Sequence, residues 1–60
     1  MTIAEMKAAL SEYGANARRK QAVAMTKGDA RECEYYAGMA LAYATSLQIV
    51  EAFEEAGGNK

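Results

Sequence analysis

Histidine, proline and tryptophan are absent from these 60 residues, and cysteine occurs once. Without imidazole, acid–base chemistry would fall to carboxylates, lysine, cysteine or tyrosine in a shaped pocket. A lone thiol excludes an intrachain disulfide, and with no histidine beside it a structural zinc site lacks its ligands. It fits a reducing, cytoplasmic compartment. The lack of proline leaves no ring to interrupt a helix interior.

Excess charge is missing too. Seven Lys plus Arg face eight Asp plus Glu, a net of −1, so bulk electrostatics recruits neither nucleic acid nor an anionic membrane. The N-terminus MTIAEMKAAL has no basic start and no apolar core before a small-residue cleavage site, so no secretory signal is expected.

A chain this short is one domain, 1–60, and buries only about 60% of the surface its unfolded form exposes. Such domains are usually reinforced by disulfides, a metal or self-association. Self-association is what remains here, with a lone, unusually well-packed hairpin as the alternative.

What is present is helix-forming composition: much alanine, with Leu, Met, Glu, Lys, Gln and Arg. Thr2 and Glu5 form a T-x-x-E capping box, and the acid lies in the first turn where the helix dipole favours it. Ile3, Met6, Leu10, Tyr13, Ala17 and Ala24 then recur on one side of a helix. Gly28 suits the left-handed residue that closes it, and Lys27 the last turn. Asp29 caps a second helix, with Glu32 completing D-x-x-E. The reading is an all-α antiparallel hairpin: helix about 3–27, turn 28–29, helix about 30–56, and a frayed tail 57–60.

Gly14 and Asn16 offer a possible break in the first helix. A mid-helix glycine costs about 1 kcal/mol relative to alanine. A restart, however, would set Arg18, Arg19 and Lys20 in a new first turn against the dipole, at about 0.3–1 kcal/mol each. A continuous or gently kinked helix is therefore expected. With the turn at Gly28-Asp29, Met6 faces Val50, Leu10 faces Leu47, Tyr13 lies near Tyr43, Ala17 faces Ala40, and Ala24 faces Cys33. Apolar residues meet at every layer.

The second helix holds the most distinctive stretch, sixteen residues from Tyr35 to Val50 without a charge. At 1.5 Å per residue it spans about 24 Å, short of the roughly 20 apolar residues a bilayer needs. It is apolar or small nearly all round, so it calls for burial on more than one side. One stripe (Cys33, Tyr36, Met39 or Ala40, Tyr43, Leu47, Val50, Phe53) packs on the first helix. Another (Tyr35, Gly38, Ala42, Ile49, Ala56) seeks a second protomer. A two-fold dimer forming a four-helix bundle is the simplest closed arrangement, with interface residues Tyr35, Gly38, Met39, Ala42, Ile49 and Phe53; a higher oligomer is the alternative.

Two charged groups complete the candidate sites. Arg18, Arg19 and Lys20, with Lys27 and Arg31 nearer the turn, are the basic concentration. They would hold phosphates while Tyr13, Tyr35 or Tyr36 stacked on bases, unless they form a solvated face neutralised by Glu32 and Glu34. Glu51, Glu54 and Glu55 crowd the end of the second helix, where the dipole prefers cations. Either a frayed end tolerates them or a basic partner offsets them. Adjacent tyrosines point about 100° apart, so Tyr35 and Tyr36 cannot both face one core. Cys33 on the apolar stripe reads as a small buried hydrophobe.

No enzyme, cofactor or metal site is expected. The expected function is non-enzymatic: a homo-oligomeric helical protein that occupies a partner's surface. By analogy of size and character this suggests a phage or mobile-element inhibitor or adaptor of a host protein complex. The rivals are a nucleic-acid or nucleotide binder using the Arg18-Arg19-Lys20 cluster and tyrosines, and a structural assembly subunit.

Overall fold

The computed structural model describes residues 1–58. Of the frayed tail expected at 57–60, Asn59 and Lys60 lie outside them. Helix α1 spans Ile3–Lys27 and α2 spans Ala30–Phe53. The two pack side by side as an antiparallel hairpin, within a rod measuring 48 × 15 × 12 Å.

The helix ends explain the lengths. Glu5 N–H donates to Thr2 Oγ1 at 3.1 Å, and Thr2 N–H donates to Glu5 Oε1 at 2.8 Å. Each satisfies a donor that the first turn would otherwise leave unpaired. At the other end Gly28 adopts φ 73°, and its N–H reaches the Met25 carbonyl at 3.1 Å. Asp29 N–H reaches the Ala24 carbonyl at 3.0 Å. This pair of bonds is a Schellman closure, which needs a left-handed residue at its centre.

The expected D-x-x-E box at α2 forms only by half. Asp29 Oδ1 accepts from Glu32 N–H at 3.0 Å, but the Asp29 N–H is already used to close α1. Glu32 Oε1 instead lies 3.5 Å from Lys27 Nζ.

Helix α1 runs unbroken through Gly14 and Asn16. Gly14 is buried against α2, and a Cβ placed there would sit 3.6 Å from that of Tyr43. That is an ordinary van der Waals distance, so the Tyr43 contact does not by itself require glycine here.

Helix α2 stops short of the expected Ala56. A five-residue π-type turn, Glu54–Gly58, follows Phe53, and Gly57 at φ 112° departs from helical geometry.

Among the described residues the buried apolar side chains are Ala17, Ala24 and Ala40, at 3, 0 and 7% exposure. No large side chain is completely covered. Each buried methyl contributes about 0.8 kcal/mol, which is little beside the roughly 1–2 kcal/mol of backbone entropy lost per ordered residue. Half-buried Met6, Leu10, Tyr36, Tyr43, Leu47 and Val50 add the remaining inward surface. The Tyr13 and Tyr43 rings meet at 5.6 Å.

Phe53 departs from the inward stripe assigned to it and is exposed. From Val50 the inward face steps to residue 54, and Glu54 takes that place through an ion pair to Lys7. No helix among the described residues is long and apolar enough to cross a membrane.

Candidate functional site

The antiparallel packing turns one side of α2 toward α1 and leaves the opposite side open. Successive residues are 100° apart, so Tyr35, Gly38, Ala42, Ile49 and Phe53 share that open side. All five are exposed, with Tyr35 at 63%, Ile49 at 64% and Phe53 at 60%. Leu41, Thr45, Gln48 and Ala52 are exposed as well. Met39, also expected at an oligomer interface, is half-buried at the edge of this surface. From Glu34 to Glu51 the exposed side carries no charge, an uncharged length of about 25 Å at 1.5 Å per residue. Single exposed apolar side chains are ordinary on a protein surface, and what sets this strip apart is that its uncharged residues are contiguous.

Gly38 marks this strip in a second way. A Cβ there would meet nothing within 4 Å, so no packing inside the hairpin accounts for a helix-interior glycine costing about 1 kcal/mol.

On one flank a groove of about 340 Å³ opens between the helices, lined by Arg19, Lys20, Val23, Lys27, Glu32 and Tyr36. Lys20 Nζ lies 5.7 Å from the Tyr36 ring centroid, and the Tyr36 ring meets that of Tyr35 edge-on at 5.1 Å. A cation over an aromatic face is favoured by the ring quadrupole. Three cations face one carboxylate in this groove, and the exposed Lys27–Glu32 pair contributes little to stability. Arg19 Nη2 also donates to Asn16 Oδ1.

The basic cluster is divided between two clefts. Arg18 lies in a different cleft, with Leu10, Ser11, Gly14, Tyr43, Leu47 and Glu51 among its neighbours. Adjacent residues on a helix diverge, which separates Arg18 from Arg19 and Lys20. Arg31 does not line the groove either. Val23, absent from the sequence-based site, belongs with Arg19 and Lys20; its spacing of four and three residues from them carries that signal.

The acidic end is also divided. Lys7 Nζ donates to Glu54 Oε1 at 2.9 Å, which places a cation at the end of α2 where the dipole favours one. The Glu54 hydrogen bond and charge hold the Lys7 ammonium above its ordinary pKa. Glu55 remains exposed. Cys33 is half-buried, with Gln21 Nε2 at 3.9 Å from its sulfur. Among the described residues no three His, Cys, Asp or Glu side chains gather as a metal site would require. No protein-family model, curated protein or solved structure matches the chain.

Proposed function

We propose that this protein works by association. Copies pair through the open side of α2 into a four-helix bundle, and the bundle acts non-enzymatically by occupying the surface of a partner macromolecule. The observation that carries this reading is the uncharged exposed strip holding Tyr35, Ala42, Ile49 and Phe53, beside a core whose enclosed side chains are alanines. Apolar surface left in water is a driving force for assembly at about 25 cal/mol per Å².

Light scattering at micromolar concentration tests the pairing. The expected mass is twice the 6.5 kDa of one chain, and Ile49→Glu should return it to a single chain. A wild type that stays folded as one chain would refute it.

The partner is read as a host protein complex, with the chain as an inhibitor or adaptor of the phage or mobile-element kind. Small size, net negative charge and a wholly helical build support this by analogy. Capture from host lysate by wild type and not by a Glu51/Glu54/Glu55→Gln variant would support a basic protein partner.

The flank groove favours a second reading, a phosphate-bearing ligand such as a nucleotide or single-stranded nucleic acid. Arg19, Lys20 and Lys27 would face its phosphates, and Tyr36 would supply a ring beside them. Binding of a fluorescent oligonucleotide should weaken steeply with salt, as phosphate contacts do. It should be lost in Arg19→Ala/Lys20→Ala and kept in Arg18→Ala. Equal loss in both would make the effect one of overall charge and dismiss the groove.

A further inference from the structure

The association reading leaves open how two copies lie on each other, and α2 carries a pattern that answers it. Tyr35, Met39, Ala42, Ser46, Ile49 and Phe53 follow one another at intervals of 4, 3, 4, 3 and 4. That is the 3.5-residue period of a seam between two helices that wind slowly about each other. The seam runs beside the inward one of Cys33, Tyr36, Ala40, Tyr43, Leu47 and Val50: its Tyr35, Ala42, Ile49 and Phe53 are exposed, while Met39 and Ser46 are half-buried and Met39 also lines a cleft with Tyr13 and Ala17 of α1. Along its outer edge run Gly38, Thr45 and Ala52, all exposed and small or uncharged.

The side chains of the seam are arranged symmetrically about position 44. Ala42 and Ser46 lie two residues either side of it, Met39 and Ile49 five, and Tyr35 and Phe53 nine. Small sits opposite small, aliphatic opposite aliphatic, and aromatic opposite aromatic. A parallel pair matches any sequence to itself and needs no such symmetry. An antiparallel pair needs exactly this kind of mirror pattern to keep its layers filled.

Charge points the same way. In the half of the rod nearest the turn, residues 15–43, Arg18, Arg19, Lys20, Lys27 and Arg31 outnumber Asp29, Glu32 and Glu34, a net of +2. In the open half, residues 1–14 and 44–58, Lys7 stands against Glu5, Glu12, Glu51, Glu54 and Glu55, a net of −4. Antiparallel copies bring unlike halves together, whereas parallel copies stack like on like.

From these observations we infer that the occupant of the open side of α2 is a second copy of this chain laid antiparallel, with its two-fold axis crossing near residue 44. Tyr35 packs on the partner's Phe53, Met39 on the partner's Ile49, and Ala42 on the partner's Ser46. Gly38 borders this seam and allows the second backbone close approach, a use that the hairpin alone does not provide.

This inference rests on the association reading, and one experiment separates their failures. In a Cys33→Ala background, Met39→Cys and Ile49→Cys are prepared singly, checked for mass by light scattering, and mildly oxidised alone and as an equal mixture. The expected result is a dimer for each, with disulfide formation in the mixture and little in either alone. In the antiparallel register two copies of residue 39 stand ten residues, about 15 Å, apart along the axis. That exceeds the Cα separation of about 7 Å beyond which a disulfide cannot close.

A dimer in which Met39→Cys links to itself as readily as to Ile49→Cys would overturn the orientation and leave association standing. If truncating Met39 or Ile49 dissolves the dimer, the milder Ala42→Cys/Ser46→Cys variant replaces them, with the 42-to-46 link expected in place of 42-to-42. A monomeric wild type would sink both claims.

Discussion

Lys7 Nζ sits 2.9 Å from Glu54 Oε1, an ion pair that bridges 47 residues of sequence and ties the start of α1 to the end of α2. Both side chains remain about one-third exposed, at 35 and 36%, so the pair contributes modestly in water. Its sign with pH is definite. The Glu54 hydrogen bond, and then its charge, raise the Lys7 pKa above the ordinary 10.5. The stabilisation is therefore complete below that value and disappears as pH rises through the folded-state pKa. Thermal melts on the alkaline side should show this extra loss in wild type and lack it in Glu54→Gln. Identical alkaline limbs would remove the pair from the stability of the hairpin.

The opposite sign is expected at the N-terminal cap. The Thr2 backbone N–H bonded to the Glu5 carboxylate, and then the Thr2 side chain, lower the Glu5 pKa below its ordinary 4.5. That contribution is present above pH 4.5 and is lost as pH falls through the lowered value. Circular dichroism of Glu5→Gln should show a shallower acid limb. Thr2→Ala, which removes the capping oxygen, should cost about 1 kcal/mol at neutral pH.

Gly14 gives a prediction with two directions. Alanine there makes an ordinary contact with Tyr43, at 3.6 Å between Cβ atoms. It should raise stability by up to about 1 kcal/mol through helix propensity. Leucine would carry three further carbons past a Cβ already in contact with Tyr43, and should destabilise by about 1–3 kcal/mol as an overpacked site does. Urea midpoints of the two variants check this, and a stabilising leucine would contradict the close approach of the helices.

Gly28 closes α1 at φ 73°, a region that costs an L-residue with a Cβ about 1–2 kcal/mol. Space is not the obstacle, since a Cβ there meets nothing within 4 Å. Gly28→Ala should therefore destabilise by about 1 kcal/mol. Gly28→Asn should cost less, because asparagine tolerates the left-handed region. Equal losses in guanidinium titrations would point to a contact instead of a backbone preference.

Much of the hairpin is legible in order along the chain. Thr2-x-x-Glu5 and Gly28-Asp29 mark helix ends because caps are made by residues within a few positions of each other. The facing of Leu10 with Leu47 follows from turn position and helical rise alone, and both line one cleft. Residues that depend on the rotation of a helix about its axis were harder to place. Phe53 and Glu54 are neighbours in sequence, and only packing against Lys7 shows which of them turns inward.

The sequence alone determined that this protein is two capped helices with a tight turn between them, and that α2 is greasier than one neighbour can cover. Periodicity and capping are local, so they are written in adjacent letters. Tertiary structure decided which charges stand together: it set Arg18 apart from Arg19 and Lys20, joined those two with Lys27, Glu32 and Tyr36 in one groove, and left Tyr35, Ala42, Ile49 and Phe53 facing water. Long side chains meet according to how two rods rotate and slide against each other, and that is a property of the packed pair.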